Sequence, residues 1–361
     1  MLKYIQYSLL LLFLVVLSAC SEETQQQLNS QLKVMPSAYG DQNQLTVISD
    51  DDIWESDIGD TIDYYYSAPY LILPQPEPIL DLRHFSTEDL AKDPLRRELR
   101  AYLIIANLED RNSPTTSFVK NIIGDVQFEK ALLDPKYNLI QIKDRWAKGQ
   151  LIVFQFGRNR KELIDNLKRN NPLIIDKVQE HDIPKLEATV FLDARNPALE
   201  REVFDNFGIR MKLPKGYFKA IGDGDIYWLR EEQDNISNNI FISRRPYTDV
   251  SQISKENIKS IRDSLGLYVS TQIENTYMRI NDVDLPMFTK VTQVDNKYAL
   301  EARGIWEIAN DYMGGPFVSY LIHNPKRNEL IFIDGFIHAP GEDKRNFMQY
   351  IEHILSTVQL P

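Results

Sequence analysis

Apolar, β-branched runs alternate with polar stretches from about Gln44 onward. "LTVIS" (45–49) reads as a strand. The acidic stretch after it reads as helix, with Ser49 or Asp50 as cap and Asp51 and Asp52 in the first turn, where the macrodipole favours anions. That arrangement suits the acidic run better than calcium, because the glycine and closing Glu of an EF-hand loop are missing. Prolines at 69, 74, 76 and 78 exclude regular helix or central strand from 68–82. An extended, rigid crossover is expected there, with a partner-docking segment as the alternative. "LRAYLIIANL" (99–108) is a second strand, and a helix starts near Pro114. Residues 137–157 read as two strands joined at Asp144–Gly149, a hairpin. A helix begun at Asn159 is expected to break at Pro172.

"NPALEREVFDNFG" (196–208) carries full helix punctuation: Asn196 as cap, Pro197 in the first position, Gly208 as the stop. The pattern places a boundary there, dividing an N-terminal domain (44–195) from a C-terminal one (196–361). In the latter, two short strands flank the Gly222–Asp225 turn, a third spans 238–247, and a helix spans 254–265. A meander at 297–308, 315–324 and 328–339 precedes a final amphipathic helix. Phe347, Ile351, Ile354, Leu355 and Val358 form its apolar stripe, with Arg345, Glu352 and His353 largely on the other side. The expected class is α+β: two domains, each a largely antiparallel sheet with covering helices. The first has a ferredoxin-like flavour, with helices on one face. The second resembles, in element order, the sandwich of photosystem extrinsic PsbP-type proteins. Such folds fix no activity.

The first nineteen residues have the pattern of a targeting signal: Lys3, then the apolar run "SLLLLFLVVL" (8–17), too short to span a bilayer. Leu17-Ser18-Ala19-Cys20 resembles the bacterial lipobox, and that resemblance implies acylation of Cys20 and cleavage before it. Acyl chains anchor stably, at about 0.8 kcal/mol per buried methylene. Cys20 is the single cysteine, so a lipidated chain keeps no thiol for disulfides, thiolate metal sites or nucleophilic catalysis. Residues 20–43 follow as a polar, Gln/Ser-rich tether. Glu22-Glu23 resembles the acidic surface-export signals of Bacteroidetes-type lipoproteins, the alternative being a merely soluble tether. A net charge of −11 argues against nucleic acid as a partner.

No zinc-protease helix, nucleophile elbow, P-loop or dinucleotide fingerprint occurs. "GDGD" (222–225) reads as a turn. The five histidines are scattered; His323 and His338 fall on neighbouring predicted strands, but a zinc site would need a third ligand such as Asp334 or Glu307, so no metal and no cofactor is expected. "RGIWEIANDYMGGPFVSY" is the best candidate for binding. Gly314, Gly315 and Pro316 force an unusual backbone, Trp306 offers an aromatic wall, and Glu307 and Asp311 add carboxylates. A loop packed on the core by its aromatics is the bland alternative.

"LPQPEP" (73–78), "GIWEIANDYMGGPFVSY" (304–320) and "DGFIHAPGEDKRNFMQYIEHIL" (334–355), with the lipobox, together resemble an uncharacterised lipoprotein family of Bacteroidetes-type bacteria, classed as a domain of unknown function. The resemblance implies an outer-membrane location, facing periplasm or cell surface, and no activity or catalytic residue. The expectation is a lipid-anchored envelope protein that binds an envelope protein or glycan. An envelope hydrolase using Glu307 and Asp311, or an outer-membrane assembly factor, are the alternatives.

Overall fold

The computed structural model describes residues 35–361; the segment read as a signal, Cys20, Glu22-Glu23 and the start of the expected tether lie outside the described residues. The tether reading is corrected for residues 36–43, which join the fold: Lys148 N donates to Pro36 O at 2.7 Å, and Gln42 and Asn43 are buried. Residues 44–157 build a five-stranded sheet and residues 218–338 an eight-stranded one, so the α+β organisation in two sheet-containing regions holds.

In the first sheet, β1 (Gln44–Ile48), β2 (Asp81–Phe85), β3 (Ala101–Asn107), β4 (Leu139–Lys143) and β5 (Leu151–Gly157) lie in the order β2-β1-β3-β5-β4. β1 pairs parallel with β2 and β3, and β3 with β5; β4–β5 alone is antiparallel. The antiparallel, ferredoxin-like expectation for this region is therefore corrected to a doubly wound, mostly parallel sheet. After the short α1 (Asp51–Trp54), α2 (Asp57–Tyr66) packs on one face; α3 (Thr87–Lys92), α4 (Pro114–Ile123) and α5 (Asp125–Leu133) pack on the other. α6 (Arg160–Val190) joins α2, so helices cover both faces rather than one. The strands explain it. β5 is buried throughout and β3 in six of its seven residues, and unbroken apolar runs belong to sheets covered on both sides. The hairpin at 137–157 is present, but its sense does not extend to strands joined through helices.

α6 runs unbroken through Pro172 and Pro184. Pro172 leaves the Lys168 carbonyl without its helical donor, and Asn171 Nδ2 donates to that oxygen instead, at 2.6 Å. The proline-rich segment closes into a tight loop between α2 and β2, where Tyr70 N donates to Glu77 O (2.8 Å) and Ile79 N to Ala68 O (2.7 Å).

The second region opens with α7 (Pro197–Phe207), capped by Asn196 and stopped by left-handed Gly208. β6 (Phe218–Asp223), β7 (Ile226–Gln233), β8 (Ile236–Pro246), β9 (Tyr277–Asn281), β10 (Phe288–Val294), β11 (Lys297–Ala309), β12 (Gly314–Asn324) and β13 (Glu329–His338) make one antiparallel sheet. Its order is β10-β11-β12-β13-β8-β7-β6, with β9 also on β11. Pairing of β8 with β13 fuses the two groups of strands. α8 (Lys255–Gly266) covers one face; α7 and α9 (Arg345–Ser356) cover the other. Gly335 on β13 lets α9 lie close, because a Cβ there would overlap the Ile351 side chain.

Under α8 sits a charged pair with no solvent exposure. Arg262 Nε donates to Asp334 Oδ1 at 3.1 Å, and Ser319 Oγ donates to the same oxygen at 2.6 Å. The guanidinium lies 3.9 Å over the Phe317 ring. Burial pushes the Asp334 carboxyl up and the Arg262 guanidinium down despite their attraction, as expected where desolvation competes with the Coulomb gain. Arg262→Met strands a buried carboxylate and is expected to cost about 3–5 kcal/mol. Adding Asp334→Leu should recover most of that loss. Urea midpoints check it, and a double variant no more stable than the single one would contradict the account.

Candidate functional site

The Trp-Glu and Gly-Gly-Pro positions fall on paired strands. Trp306 is buried, its indole Nε1 donates to Ile337 O at 3.2 Å, and its ring meets Phe336 edge-on at 5.7 Å. Gly315 lies opposite Trp306 and Gly314 opposite Glu307, while Pro316 is buried opposite Ile305. A Cβ on Gly315 would overlap the Ile337 carbonyl oxygen, so packing accounts for this glycine. Glu307 accepts from Arg279 Nη2 (2.6 Å) and Asn281 Nδ2 (2.9 Å) on β9. Asp311 sits in the β11–β12 turn, where its Oδ1 accepts from Tyr312 N at 2.7 Å. The structure thus brings Trp306, Gly315 and Pro316 together within the packed strand pair. None of the six residues lines any of the clefts described below. His323 and His338 are not neighbours either: in register they oppose Leu330 and Ser237. No cluster of metal-ligating side chains occurs among the described residues.

A serine–histidine contact stands at the carboxyl end of the parallel sheet, with Ser49 Oγ 2.9 Å from His84 Nε2. The imidazole stacks on Trp54 at 4.6 Å, and burial holds it below its ordinary pKa. Ser49 has no solvent exposure and its hydroxyl also donates to Asp50 O. The pair ties β1 to β2 and offers no accessible nucleophile. Asp50 follows its own course: rather than capping α1, its Oδ1 accepts from Thr115 N (3.0 Å) and Thr115 Oγ1 (2.6 Å) at the start of α4.

The densest polar chemistry lies where the two regions meet. Asn43, left-handed at φ 64° and buried, precedes β1. Its Nδ2 donates to Gln349 Oε1 and Gln349 Nε2 donates back to Asn43 Oδ1, both at 2.8 Å. The Asn43 backbone N–H donates to Asp182 Oδ2 at 2.7 Å, and Asp182 in turn accepts from Arg100 Nη2 at 2.8 Å. One residue therefore links β1, α6 and α9.

The proline-rich loop adds a second set of links. Lys344, the residue before α9, has no side-chain acceptor to cap the helix. Glu77 supplies one from the other region: its carboxylate accepts from Lys344 N (2.6 Å) and Arg345 N (2.9 Å). Arg345 grips Asp81 with two bonds, of 3.1 and 2.7 Å. Tyr70 and Leu73 are buried in the core of the second region. The Tyr70 hydroxyl donates to Glu352, which also accepts from Arg303 Nη1 at 2.5 Å. Burial, then Glu352, raise the Tyr70 phenol well above its ordinary range, so it stays a neutral donor. His353 meets Glu187 on α6 at 2.7 Å. The side of α9 read from sequence as outer and polar is thus largely a seam: Arg345, Glu352 and His353 face the N-terminal region.

Beside this seam, α6 and α9 wall a cleft of about 420 Å³. Asn43, Asp182 and Gln349 form part of its lining and are already hydrogen-bonded; Tyr70 and Tyr320 add phenols; Ile183 and Leu186 add apolar surface. Asp176 and Glu180 at the rim carry no ion pair among the described residues. Such a lining can hold hydroxyl or basic groups by hydrogen bonds. It also includes His353 and Ser356, but the Ser356 hydroxyl donates to the His353 backbone oxygen at 2.7 Å rather than to an imidazole. Sequence reasoning missed Asn43, Asp182 and Gln349 because single amides and carboxylates carry no local signal. The one available hint was that two of the motif stretches, 73–78 and 334–355, are those that meet here.

Residues 38–191 match a family model described as a domain of unknown function (DUF8532), and residues 196–357 match a second, also a domain of unknown function (DUF4837). An uncharacterised family, implied by the motif resemblance, is what these matches support. No curated protein matches the sequence. Among solved structures, a mutant of the protein Mog1 shares 14% identity over 42% of this chain and 90% of its own, with a TM-score of 0.29. The Ran-binding protein Mog1p of Saccharomyces cerevisiae shares 13% identity over 42% and 89%, also with a TM-score of 0.29. Similarity at that level has no bearing on function.

Gln349→Leu leaves the Asn43 amide without its partner and is expected to cost about 1–3 kcal/mol. Glu77→Ala, which uncaps α9, is expected to cost about 0.5–2 kcal/mol. Guanidinium unfolding of both variants checks this; unchanged midpoints would show that the seam contributes nothing.

Proposed function

We propose that this chain, whose two halves match two families of unknown function, is a lipid-anchored protein of the bacterial outer membrane. Cys20 carries the lipid and the residues between it and Pro36 form the tether. The folded regions bind an envelope partner, protein or glycan, in the cleft between α6 and α9. The observation that supports binding is the cleft's preformed lining: Asn43, Asp182 and Gln349 are buried and fixed by one another before any partner arrives. A preorganised site loses little entropy on binding. The acidic rim of Asp176 and Glu180 favours a partner presenting basic or hydroxyl groups. Support for a hydrolase is weaker, since Glu307 is engaged by Arg279 and Asn281.

Fractionated cells test the anchor. Wild-type protein should sediment with outer membranes and Cys20→Ala should not; equal sedimentation would reject lipidation at Cys20. Photo-crosslinking from position 183 tests the cleft. One reproducible envelope adduct should form, and Asp176→Lys with Glu180→Lys should remove it. An adduct pattern identical to that from a site on the opposite face of the molecule would reject the cleft as the binding surface.

A further inference from the structure

A separate open cleft, of about 420 Å³, lies between α7 and the chain segment that follows α9. Four cationic side chains line it, Arg195, Arg201, Arg210 and Lys212, against one carboxylate, Glu200. This concentration of positive charge sits on a chain whose net charge is −11. What each cation already holds decides what the cleft can take.

Glu200 is occupied by a single arginine. It accepts from Arg195 Nε at 2.8 Å and Arg195 Nη2 at 2.5 Å, and also from Leu213 N at 2.9 Å. Lys212 Nζ donates to Glu187 Oε1 at 2.6 Å, a carboxylate of α6 outside the lining. Arg201 and Arg210 have no ion pair and no side-chain hydrogen bond among the described residues. Both are exposed, so their guanidinium groups are accessible to a ligand. Asp205, one helical turn beyond Arg201, forms no ion pair with it and is not part of the lining.

The fold brings both arginines to one aromatic ring. Pro197, Arg201 and Phe204 follow one another at helical spacing on α7 and so share a stripe of that helix. The Arg210 guanidinium lies over the Phe204 ring, 5.2 Å from its centre. Arg201 and Arg210 therefore both adjoin Phe204. The backbone of Arg210 is pinned to the last residues of the chain: its N–H donates to Gln359 O at 2.9 Å, and Gln359 N donates to Arg210 O at 2.8 Å. Thr357 adds no spare hydroxyl, because its Oγ1 accepts from Lys212 N and donates to Ile354 O.

Two accessible guanidinium groups without a carboxylate call for an anion. A carboxylate needs only one such fork, as Glu200 shows with Arg195. Two further forks suit an anion with more than two oxygens, and the planar guanidinium matches phosphate geometry. Pro197 and Phe204 place apolar surface beside that position, which suits the organic part of an ester.

We propose that this cleft binds a phosphate monoester, of a lipid headgroup or of a soluble compound, with Arg201 and Arg210 holding the phosphate and Phe204 beside the esterified group. The site is separate from the α6–α9 cleft and does not depend on that cleft being occupied.

Phosphorus NMR on the full chain, in a phosphate-free nonionic detergent at fixed ionic strength, tests it. The probes are glycerol 3-phosphate in solution and dioleoylphosphatidic acid in the micelle. Wild-type protein should shift or broaden the resonance of at least one. A response from glycerol 3-phosphate alone assigns a soluble ester; a response from phosphatidic acid assigns a lipid headgroup. Arg201→Gln with Arg210→Gln should weaken binding about tenfold, equivalent to about 1.4 kcal/mol. It should leave Tm unchanged, because both side chains are exposed and unpaired. Arg201→Lys with Arg210→Lys keeps the charge but loses the forks, and should also weaken binding. No response from either probe, or a Gln or Lys double variant that binds as wild type does, would overturn the proposal.

Discussion

The reciprocal amide pair between Asn43 and Gln349 holds the molecule's two regions in register. Two buried carboxamides satisfy each other only when β1 and α9 sit at one separation and angle. The other links depend on the same placement. Glu77 can cap α9, Arg345 can grip Asp81, and Glu352 can receive Tyr70 only with the proline-rich loop lying along that helix. Each is modest in net free energy, but each buried group is costly to leave alone. Opening the seam would leave several buried groups unpaired at once, and the α6–α9 cleft is lined by three of the residues so held.

A second constraint acts inside the C-terminal region. Arg262 reaches from α8 into the sheet to Asp334, which Ser319 also holds. Asp334 and Ser319 are paired across β13 and β12, and both belong to motif stretches flagged in the sequence. Trp306 bonds to Ile337 in the same way, across those two stretches. The motif segments are thus contacts of one another. Their unusual residues are accounted for by packing, and function is better sought in the spaces the packing leaves.

Local pattern revealed much of this architecture. Asn196, Pro197 and Gly208 marked α7, and the period of Ile351, Ile354 and Leu355 marked the face of α9 that meets the sheet. Pattern misled where chemistry is non-local. The apolar runs of β3 and β5 were compatible with either strand sense, and covering helices on both faces make them parallel. Pro172 signalled a break that Asn171 repairs through its side chain. β10 is largely exposed at a sheet edge and lacked an apolar signature. The polar side of α9 looked like a solvated face, because nothing in its spacing distinguishes water from a second domain. Candidate binding positions suffered most. Trp306 and Gly315 were conspicuous for reasons of packing, while Asn43, Asp182 and Gln349 were inconspicuous until the fold placed them beside a cleft.

If the seam makes one rigid binding unit, the two regions should unfold together. The four tryptophans report on them evenly, Trp54 and Trp146 in the first and Trp228 and Trp306 in the second. Fluorine NMR of protein labelled with 5-fluorotryptophan follows each through urea unfolding without altering the sequence. The account predicts four coincident transitions, as a two-state unit requires. Transitions for Trp54 and Trp146 that separate from those of Trp228 and Trp306 would contradict it.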